Sequence, residues 1–455
     1  FPTDQQWAFF PSVSGGWRVS EEAFWKVNPD LFSNLKIRAS YGSLGNGNVS
    51  PYSFLELLSI STSGRVLNGL KNKYTSAPAV MPDGLTWETA TTTDVGLDFG
   101  MLNNRLQFNG DYYIRKTTDM YTVGETLPDV FGASSPKGNY ADMTTKGWEI
   151  TLTWRDQFTL AEKPFNYEIR GTLSDYISTI DRYNNQTGNL DDYYAGKRVG
   201  EIWGYVTEGL FKDQADIDSH ADQTLIQSSS KRITYPGDVK IKDLNGDHVI
   251  DYGNNTVDDH GDKTVIGNAL PRYAYSINLS GDWNNFFLSA FFQGVGKQDW
   301  YPSSECIFWG QYNRPYNNMP TWHQGNYWTE DNTDAYLPRY AGYNASLKST
   351  PQTRYLQNVA YIRLKNLQFG YTLPQPIVSK AKLQNVRVYI SAENLWCWSP
   401  LYKHTRDLDV TNIYGSDPDL TDADMSSGLN GNRGSGDGNS YPQMKSVSLG
   451  LSVTF

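Results

Sequence analysis

A nine-residue segment in the middle of the chain carries oxygen-bearing side chains at the spacing of a calcium-binding loop. It runs Asp-Leu-Asn-Gly-Asp-His-Val-Ile-Asp from Asp243 to Asp251. Carboxylate or amide oxygens at positions 1, 3, 5 and 9, with a backbone carbonyl at position 7, match the start of an EF-hand loop, which wraps several oxygens around one Ca²⁺ ion. The predicted ligands are Asp243, Asn245, Asp247, Asp251 and the carbonyl of Val249.

Two positions of this segment depart from an EF-hand loop. Position 6, where the turn normally takes Gly, is His248, and position 12 is Asn254 rather than Glu. We predict that Asp262 is a further ligand, which closes the site across the inserted residues 252–261. Ca²⁺ would then be a structural ion that stabilises the loop. The alternative is a turn in which the Asp and Asn oxygens accept hydrogen bonds from nearby backbone amides.

A second candidate site is the aromatic stretch between residues 294 and 360. Stacking on sugar faces needs exposed rings of this kind, and we predict contacts of some of them with substrate or with a partner protein. The alternative is that the rings pack against one another inside the loop. The stretch includes Trp300, Tyr301, Tyr316 and Tyr327, and the four residues predicted to make contacts are Trp309, Tyr312, Trp322 and Trp328.

Catalytic motifs do not appear in the sequence. The five histidines lack zinc-site spacing such as His-Glu-x-x-His, and neither a Gly-x-Ser-x-Gly elbow nor a P-loop occurs. We therefore expect a protein that is not an enzyme. The two cysteines, Cys306 and Cys397, are both predicted to be extracellular, where a disulfide would persist; two separate thiols are the favoured prediction.

Outside these stretches the chain alternates apolar and polar residues with a period of two, which predicts β-strands. In the last of them, Ser446 to Phe455, Val447, Leu449 and Leu451 lie on one side and serines lie on the other. A change of phase near Asn366 predicts a β-bulge. Eleven segments show the pattern: 9–19, 35–41, 94–99, 106–115, 148–155, 165–173, 273–280, 286–293, 361–373, 386–393 and 446–455.

Full charges lie in the middle of the polar faces of these strands. A dry sandwich core would make such charges unfavourable unless they are paired, whereas the water-filled interior of a membrane barrel accepts them. We therefore predict an all-β fold, a transmembrane antiparallel β-barrel with its apolar faces toward lipid. The charges in question are Arg38, Asp111, Glu149, Arg155, Glu168, Arg170 and Arg387.

The connections between the predicted strands alternate in length, as the short periplasmic turns and long extracellular loops of outer-membrane barrels do. This places Phe455 at the periplasmic rim. The short connections are 20–34, 102–105, 156–164, 282–285 and 374–385, and the long ones are 44–89, 116–146, 175–272, 294–360 and 398–444.

An odd number of strands does not close a bacterial single-chain barrel, and an open sheet edge is not tolerated in lipid. We therefore expect residues 1–455 to be the C-terminal portion of a larger barrel. Its first strands and plug would lie upstream, in agreement with a chain that begins at Phe1 without a signal peptide.

Composition narrows the class of protein further. The net charge of −10 argues against a nucleic-acid partner. The mean hydropathy is −0.56, and no apolar run approaches the roughly 18 residues that a membrane-spanning helix needs. Aromatic residues are frequent, with 31 Tyr, 19 Phe and 14 Trp, as in both interface girdles and sugar-binding surfaces.

The chain resembles the SusC/RagA family of TonB-dependent outer-membrane transporters along its whole length. The resemblance implies a 22-strand barrel in which these strands are numbers 12 to 22, an N-terminal plug, and a SusD-like lipoprotein lid. It is carried by WAFFPSVSGGWR (7–18), LKIRASYG (35–42), DVGLDFG (94–100), LNNRL (102–106), KGWE (146–149), YIRLKN (361–366), GYTLP (370–374), VYISAENL (388–395) and LGLSVTF (449–455).

The resemblance also implies a function, which is the TonB-driven import of oligosaccharides or peptides, and it allows a dimer of transporter–lid pairs. One alternative is a TonB-dependent receptor for siderophores or vitamins, which would lack the lid. A secreted carbohydrate-binding or glycan-degrading β-protein, soluble without detergent, is an alternative from another class.

Overall fold

The computed structural model describes residues 1–47, 49, 54–55, 58–75, 85–124, 130, 135–227, 233–302, 306–312, 317–340, 350–411, 413 and 442–455. In chain order the strands are β1 (Ser12–Arg18), β2 (Phe32–Asn46), β3 (Ile60–Leu67), β4 (Leu70–Thr75), β5 (Glu88–Met101), β6 (Leu106–Val123), β7 (Lys137–Leu160), β8 (Lys163–Arg182), β9 (Glu201–Tyr205), β10 (Thr207–Leu210), β11 (Val239–Ile241), β12 (Lys263–Asn268), β13 (Arg272–Trp283), β14 (Phe286–Lys297), β15 (Asp299–Trp300), β16 (Tyr327–Trp328), β17 (Leu337–Arg339), β18 (Gln357–Asn358), β19 (Tyr361–Thr372), β20 (Asn385–Trp398) and β21 (Ser446–Thr454).

The helices among the described residues are short. Two are α-helical, α1 (Gln214–Asp218) and α2 (Gln375–Val378). No helix in this part of the chain has the length and the apolar character that crossing a membrane requires. The 3₁₀ turns are Thr3–Gln5, Val19–Glu21, Thr224–Ile226, Ile307–Tyr312, Thr321–His323, Ser379–Ala381 and Pro400–Lys403.

Eleven of the strands form one continuous sheet. Its order is β1-β2-β5-β6-β7-β8-β13-β14-β19-β20-β21, which follows the chain apart from the strands that belong to the connections. Every neighbouring pair is antiparallel. These are the eleven strands predicted from the alternation, and that prediction is confirmed. Within the described residues, β1 and β21 each pair on one side.

Several strands extend further than the alternation predicts. The connection expected at 156–164 is wrong, because β7 and β8 continue to a two-residue turn, Ala161–Glu162, whose φ angles are 48° and 65°. Most of the long connection expected at 116–146 is also strand, since β6 ends at Val123 and β7 begins at Lys137. Polar residues, among them Lys116, Asp119 and Asp156, interrupt the apolar period before these strands end.

The predicted bulge near Asn366 is confirmed. In the pairing of β19 with β14, Leu364 and Asn366 face consecutive residues, so Lys365 is the extra residue. Opposite it, on β20, the register also shifts, and Asn394 adopts a positive φ of 53°. A bulge of this kind turns the side chains that follow it onto the other face, which explains the change of phase in the sequence.

The two faces of the sheet differ sharply in chemistry. Register places the large apolar side chains of neighbouring strands side by side on one face, and they are exposed rather than packed under a second layer; Leu279 is 38% and Leu449 is 79% exposed. The same register places the charged residues on the opposite face. The exposed apolar row includes Ile37, Leu97, Leu152, Ile169, Leu279, Leu288, Phe369, Ile390 and Leu449.

The buried core of the molecule lies in the long connections rather than under the sheet. We call its largest part the aromatic loop core. It draws on the connections 298–360 and 399–445, which join β14 to β19 and β20 to β21. Its fully buried members are Trp300, Tyr301, Cys306, Phe308, Trp309, Tyr312, Leu337, Tyr355, Val359, Leu401, Leu408, Val410 and Ile413.

Candidate functional site

A charged network lines the polar face of β2, β5 and β6. Arg38 donates from Nε and Nη2 to the two carboxylate oxygens of Asp98, at 2.9 and 2.8 Å. Its Nη1 lies 2.9 Å from Asp111, and Asn109 donates to Asp98 at 3.0 Å. All three charged side chains keep part of their surface exposed. Paired, wet charges of this kind suit a water-filled interior.

Two further ion pairs lie at the long-loop end of the sheet, one between neighbouring strands and one between a strand and a connection. Arg272 on β13 makes a bidentate pair with Asp175 on β8, at 2.6 and 2.5 Å. Arg363 on β19, which is 5% exposed, donates to Asp409 at 2.6 Å and to Gln443 at 2.7 Å. Charge-assisted bonds between partly buried groups hold a fixed geometry, so the Arg363 contacts anchor the connection between β20 and β21 to the sheet.

The structure separates the four aromatic residues predicted to make contacts into two pairs. Trp309 and Tyr312 are 0% exposed; the Tyr312 hydroxyl donates to the Pro338 carbonyl at 2.7 Å, and burial raises the pKa of Tyr312. Trp322 and Trp328 keep a partly exposed surface. Packing inside the loop therefore describes the first pair, and contact with substrate or lid stays a prediction for the second. Tyr316 lies outside the described residues.

His323 packs against rings of the aromatic loop core, a position that the sequence did not reveal. It is 0% exposed. Its Nε2 donates to the Phe308 carbonyl at 3.0 Å, and its Nδ1 accepts from the Tyr340 hydroxyl at 3.2 Å. A carbonyl only accepts, so Nε2 carries a proton, and Nδ1 accepts from the Tyr340 hydroxyl in the neutral ring. Burial lowers its pKa from 6.5 to about 4, although the bond to Phe308 opposes that shift.

Two of the long connections dock on each other through β9. Tyr205 donates its N–H to the Pro351 carbonyl at 3.0 Å, and the Thr353 N–H donates to the Tyr205 carbonyl at 3.0 Å. The Thr207 N–H also donates to Thr353 Oγ1 at 2.9 Å. The connection between β8 and β13 thus shares a backbone ladder with the connection between β14 and β19, and the two loops form one body.

The predicted calcium segment forms a tightly hydrogen-bonded turn. Asp243 accepts from the N–H groups of Gly246, at 2.7 Å, and His248, at 3.0 Å. The Gly246 bond is the main cause of the lowered pKa of Asp243. Asn245 and Asp247 accept in the same way from the amides two residues further on, at 3.0 and 2.8 Å. These bonds are those of the alternative prediction, in which the oxygens cap local amides.

Asp262 does close this loop, by hydrogen bonding. It is 0% exposed, and its two oxygens accept from the N–H groups of Leu244, at 2.7 Å, and Asp251, at 3.0 Å. Among the described residues, no three His, Cys, Asp or Glu side chains form a group that could hold a metal ion. Ca²⁺ binding at this segment stays a prediction, in which the oxygens would turn from the backbone amides to the ion.

The two cysteines are separate thiols, as favoured from the sequence. Cys306 is buried in the aromatic loop core, and Cys397 lies near the end of β20.

A compact group of polar and aromatic side chains, which the sequence did not indicate, joins the two docked loops. We call Tyr235, Asp238, Trp328 and Arg339 the Tyr235 cluster. Arg339 Nε donates to Asp238 at 2.7 Å, and its guanidinium lies 4.5 Å from the centre of the Tyr235 ring. Burial raises the pKa of Asp238, and the charge of Arg339 opposes that rise. The sequence signal was limited to the turn Tyr-Pro-Gly-Asp, because Arg339 lies 101 residues away from Asp238.

A cavity of about 360 Å³ adjoins this cluster in the connection between β8 and β13. Its volume is within the usual range for small-ligand sites, about 300–1,000 Å³. It mixes apolar walls with hydroxyl, amide, imidazole and carboxylate groups. The lining residues are Phe211, Ile217, His220, Ala221, Asp222, Gln223, Thr224, Ile233 and Thr234.

Comparisons with known proteins agree with this architecture. The family model described as TonB dependent receptor-like, beta-barrel matches residues 1–395. TonB-dependent receptor P26 of Formosa agariphila is 28% identical over 477 residues, which cover 100% of this chain and 43% of the relative. TonB-dependent receptor SusC of Bacteroides thetaiotaomicron is 24% identical over 471 residues, which cover 100% of this chain and 41% of the relative. The chain thus spans less than half the length of these relatives.

Solved structures resemble this one in fold. The RagAB peptide transporter superposes with a TM-score of 0.69 at 21% identity, covering 100% of this chain and 44% of that chain. The RagAB peptide importer in its closed-closed state gives a TM-score of 0.71 at 20% identity, with the same two coverages.

Proposed function

The chain belongs to the TonB-dependent receptor-like β-barrel family, and we propose that the protein imports nutrient oligomers, either oligosaccharides or peptides. Receptors of this family lie in the outer membrane of Gram-negative bacteria, and the chain is accordingly an outer-membrane protein of the SusC/RagA type. No covalent step is proposed, since import needs binding and passage rather than bond cleavage.

The observation that carries this proposal is the contrast between the two faces of the eleven-stranded sheet. One face presents a continuous exposed apolar surface, and the other presents charged and hydroxyl side chains in cross-strand pairs. This is the reverse of a soluble sandwich, and it is the arrangement of a wall with lipid outside and water inside. A secreted, water-soluble β-protein would expose this apolar face to water, which is unfavourable.

The long connections support the binding half of the function. They dock on each other and bury their own aromatic core, while part of the surface of Trp322 and of Trp328 stays exposed. We propose that a SusD-like lipoprotein closes over them, with substrate held between loops and lid. We also propose that TonB supplies energy through an N-terminal region, and that transporter–lid pairs assemble as a dimer.

Uptake by cells tests the proposal directly. Deletion of the gene should abolish growth on one oligosaccharide or peptide as the sole nutrient, and loss of TonB should have the same effect. A binding screen of the intact transporter–lid complex against oligosaccharides and oligopeptides then identifies the class. Co-purification of a surface lipoprotein separates this function from a siderophore or vitamin receptor; if none co-purifies and iron chelates or vitamins bind, the proposal fails.

Calcium is a separate proposal with its own test. The spacing of Asp243, Asn245, Asp247, Asp251 and the Val249 carbonyl supports Ca²⁺ as a structural ion of the loop, with Asp262 as the closing ligand. Isothermal titration of the intact protein should then show binding of Ca²⁺, which Asp247→Asn weakens. Absence of a binding signal at millimolar Ca²⁺ removes the ion and leaves the hydrogen-bonded turn.

A further inference from the structure

We propose that the Tyr235 cluster is a subsite for one neutral sugar unit of an oligosaccharide, beside the cavity of the same loop. This inference rests on the proposed function, because it chooses between the two classes of oligomer considered there. The cluster lies where the connection 183–271 meets the connection 298–360, and it therefore belongs to both of the loops that would hold a substrate.

Part of the hydrogen-bonding side of the cluster is open to solvent, where a ligand can reach it. Asp238 is 5% exposed and accepts a hydrogen bond from Nε of Arg339. The Arg339 side chain keeps 31% of its surface exposed. Among the described residues, the two terminal nitrogens of Arg339 have no hydrogen-bond partner. A guanidinium presents its donors in a fixed plane, and two hydroxyl groups on adjacent carbons of a sugar accept from such a pair of nitrogens.

The balance of charge favours a neutral ligand over a carboxylate. The Arg339 charge is already paired with Asp238 at 2.7 Å. An anionic ligand would therefore gain little attraction from Arg339, and the Asp238 carboxylate would repel it. A hydroxyl-rich ligand accepts from Arg339 without disturbing that pair. The Tyr235 ring is 43% exposed, and Trp328 also reaches the surface; aromatic rings supply the apolar contact that the CH face of a sugar needs.

The cluster is held rigidly, as a preformed subsite requires. Gly237 has a φ of 84°, and a Cβ there would collide with the indole of Trp328 and press on the side chain of Arg339. Its carbonyl accepts from the Arg339 N–H at 2.9 Å. The Asp238 carboxylate also accepts from the Tyr235 N–H at 2.9 Å. Glycine thus lets the turn lie flat against both side chains.

The adjoining cavity gives the oligomer a place to continue. Thr234, which precedes Tyr235, lines it. Phe211 forms another part of its wall, and the carbonyl of Phe211 accepts from the Gly237 N–H at 2.7 Å. The turn that carries the cluster is therefore fastened to the wall of the cavity. A volume of about 360 Å³ accommodates a unit of an oligosaccharide next to the one at Tyr235.

Titration calorimetry on the intact transporter tests the subsite. The probes are neutral oligosaccharides of four to eight glucose, mannose, xylose or galactose units, and peptides of matching length. We expect one oligosaccharide to bind, and Tyr235→Ala and Arg339→Gln each to weaken it by roughly fivefold or more, as the loss of one stacking or hydrogen-bonding group does. Tyr252→Ala is the matched control, because Tyr252 is a 50% exposed ring with Lys263 above it in the same connection.

Three results would overturn the subsite. The first is an affinity within twofold of the wild type for both variants. The second is an equal loss in the Tyr252→Ala control, and the third is binding of peptides alone or of none of the probes. Tyr235→Phe keeps the ring and guards against misfolding, so it should retain most of the affinity. If cells import an oligosaccharide normally with Tyr235→Ala and Arg339→Gln, the subsite is wrong while the proposed function stands. If cells with the wild-type protein import no oligomer, the proposed function itself fails.

Discussion

His323 shows how burial sets the chemistry of a single side chain in the loops. Its two nitrogens have fixed partners, the Phe308 carbonyl and the Tyr340 hydroxyl, and the Trp322 indole stands perpendicular to it at 4.2 Å. Protonation would place a charge among aromatic rings that exclude water, and this explains why burial lowers its pKa to about 4.

This pKa predicts how the stability of the aromatic loop core depends on pH. The unfolded loop binds a proton near pH 6.5, whereas the folded loop resists it until about pH 4, so stability is complete above pH 6.5 and falls as the pH drops through this window. At about 1.4 kcal/mol per pKa unit the loss is about 3 kcal/mol. Hydrogen exchange of the loop amides should show that His323→Gln flattens this dependence; an unchanged slope would contradict the assignment.

Asp262 is the fully buried polar residue of the 243–262 loop, as His323 is of the aromatic loop core. Asp262→Ala should destabilise the loop by about 2–4 kcal/mol, because two N–H donors, those of Leu244 and Asp251, lose their buried acceptor. Limited proteolysis should then cut this loop faster, with or without Ca²⁺. Asp258→Ala, at an exposed carboxylate of the same loop, is the control and should leave the rate unchanged. Equal rates for the two variants would show that Asp262 does not hold the loop.

The short strand β9 is the element on which the assembly of the loops depends. One side of it pairs with β12, and the other side receives residues 351–353. Gly204 allows this contact, because a Cβ at that position would collide with the Pro351 carbonyl oxygen and with the Ile266 side chain. A backbone oxygen in a ladder cannot move aside as a flexible side chain does.

Gly204→Ala should therefore separate the two docked loops. We expect a loss of about 1–3 kcal/mol in local stability, the usual range for overpacking, seen as faster hydrogen exchange at Tyr205 and Thr353. Gly171→Ala on β8 is the matched control, because a Cβ there meets no atom within 4 Å. The explanation fails if exchange at these two amides is the same in both variants.

The molecule as a whole is organised around a sheet whose two faces meet different solvents. Leu279 and Ser280 are neighbours on β13 and are both exposed, one on the apolar face and the other on the polar face, where Ser280 lies opposite Glu168. Both side chains are thus exposed, and the difference between them is the medium that each one faces, lipid for Leu279 and water for Ser280.

This adjacent pair makes the membrane assignment testable. Leu279→Lys should destabilise the barrel by about 2–4 kcal/mol if the side chain faces the lipid interior, whereas Ser280→Lys should be tolerated next to Glu168. The measurement is the unfolding free energy of the full barrel in lipid vesicles, together with its level in the outer membrane. A similar loss for both variants would argue against lipid on the apolar face.

The sheet was predictable from the sequence because its signal is local and repeated. In a strand, residues two apart share a face, so the contrast of Leu449 and Leu451 with Ser448 and Gly450 specifies both the element and the solvent on each side. The bulge at Lys365 was readable for the same reason. The strand ends near Val123 and Leu160 were not, because polar residues such as Asp119 and Asp156 interrupt the alternation before the strands end.

The candidate site, in contrast, depends on partners far apart in the chain. Asp238 and Arg339 are separated by 101 residues, and Thr207 and Thr353 by 146. Irregular loops have no period that relates such positions, so composition predicted aromatic residues near a substrate without telling which rings are buried. The sequence by itself thus determines the sheet between lipid and water, because residues close together in the chain set the two faces of each strand. The burial of Trp309 and His323 and the contact of Tyr235 with Arg339 are decided only by the tertiary structure, because they arise where distant loops pack on one another.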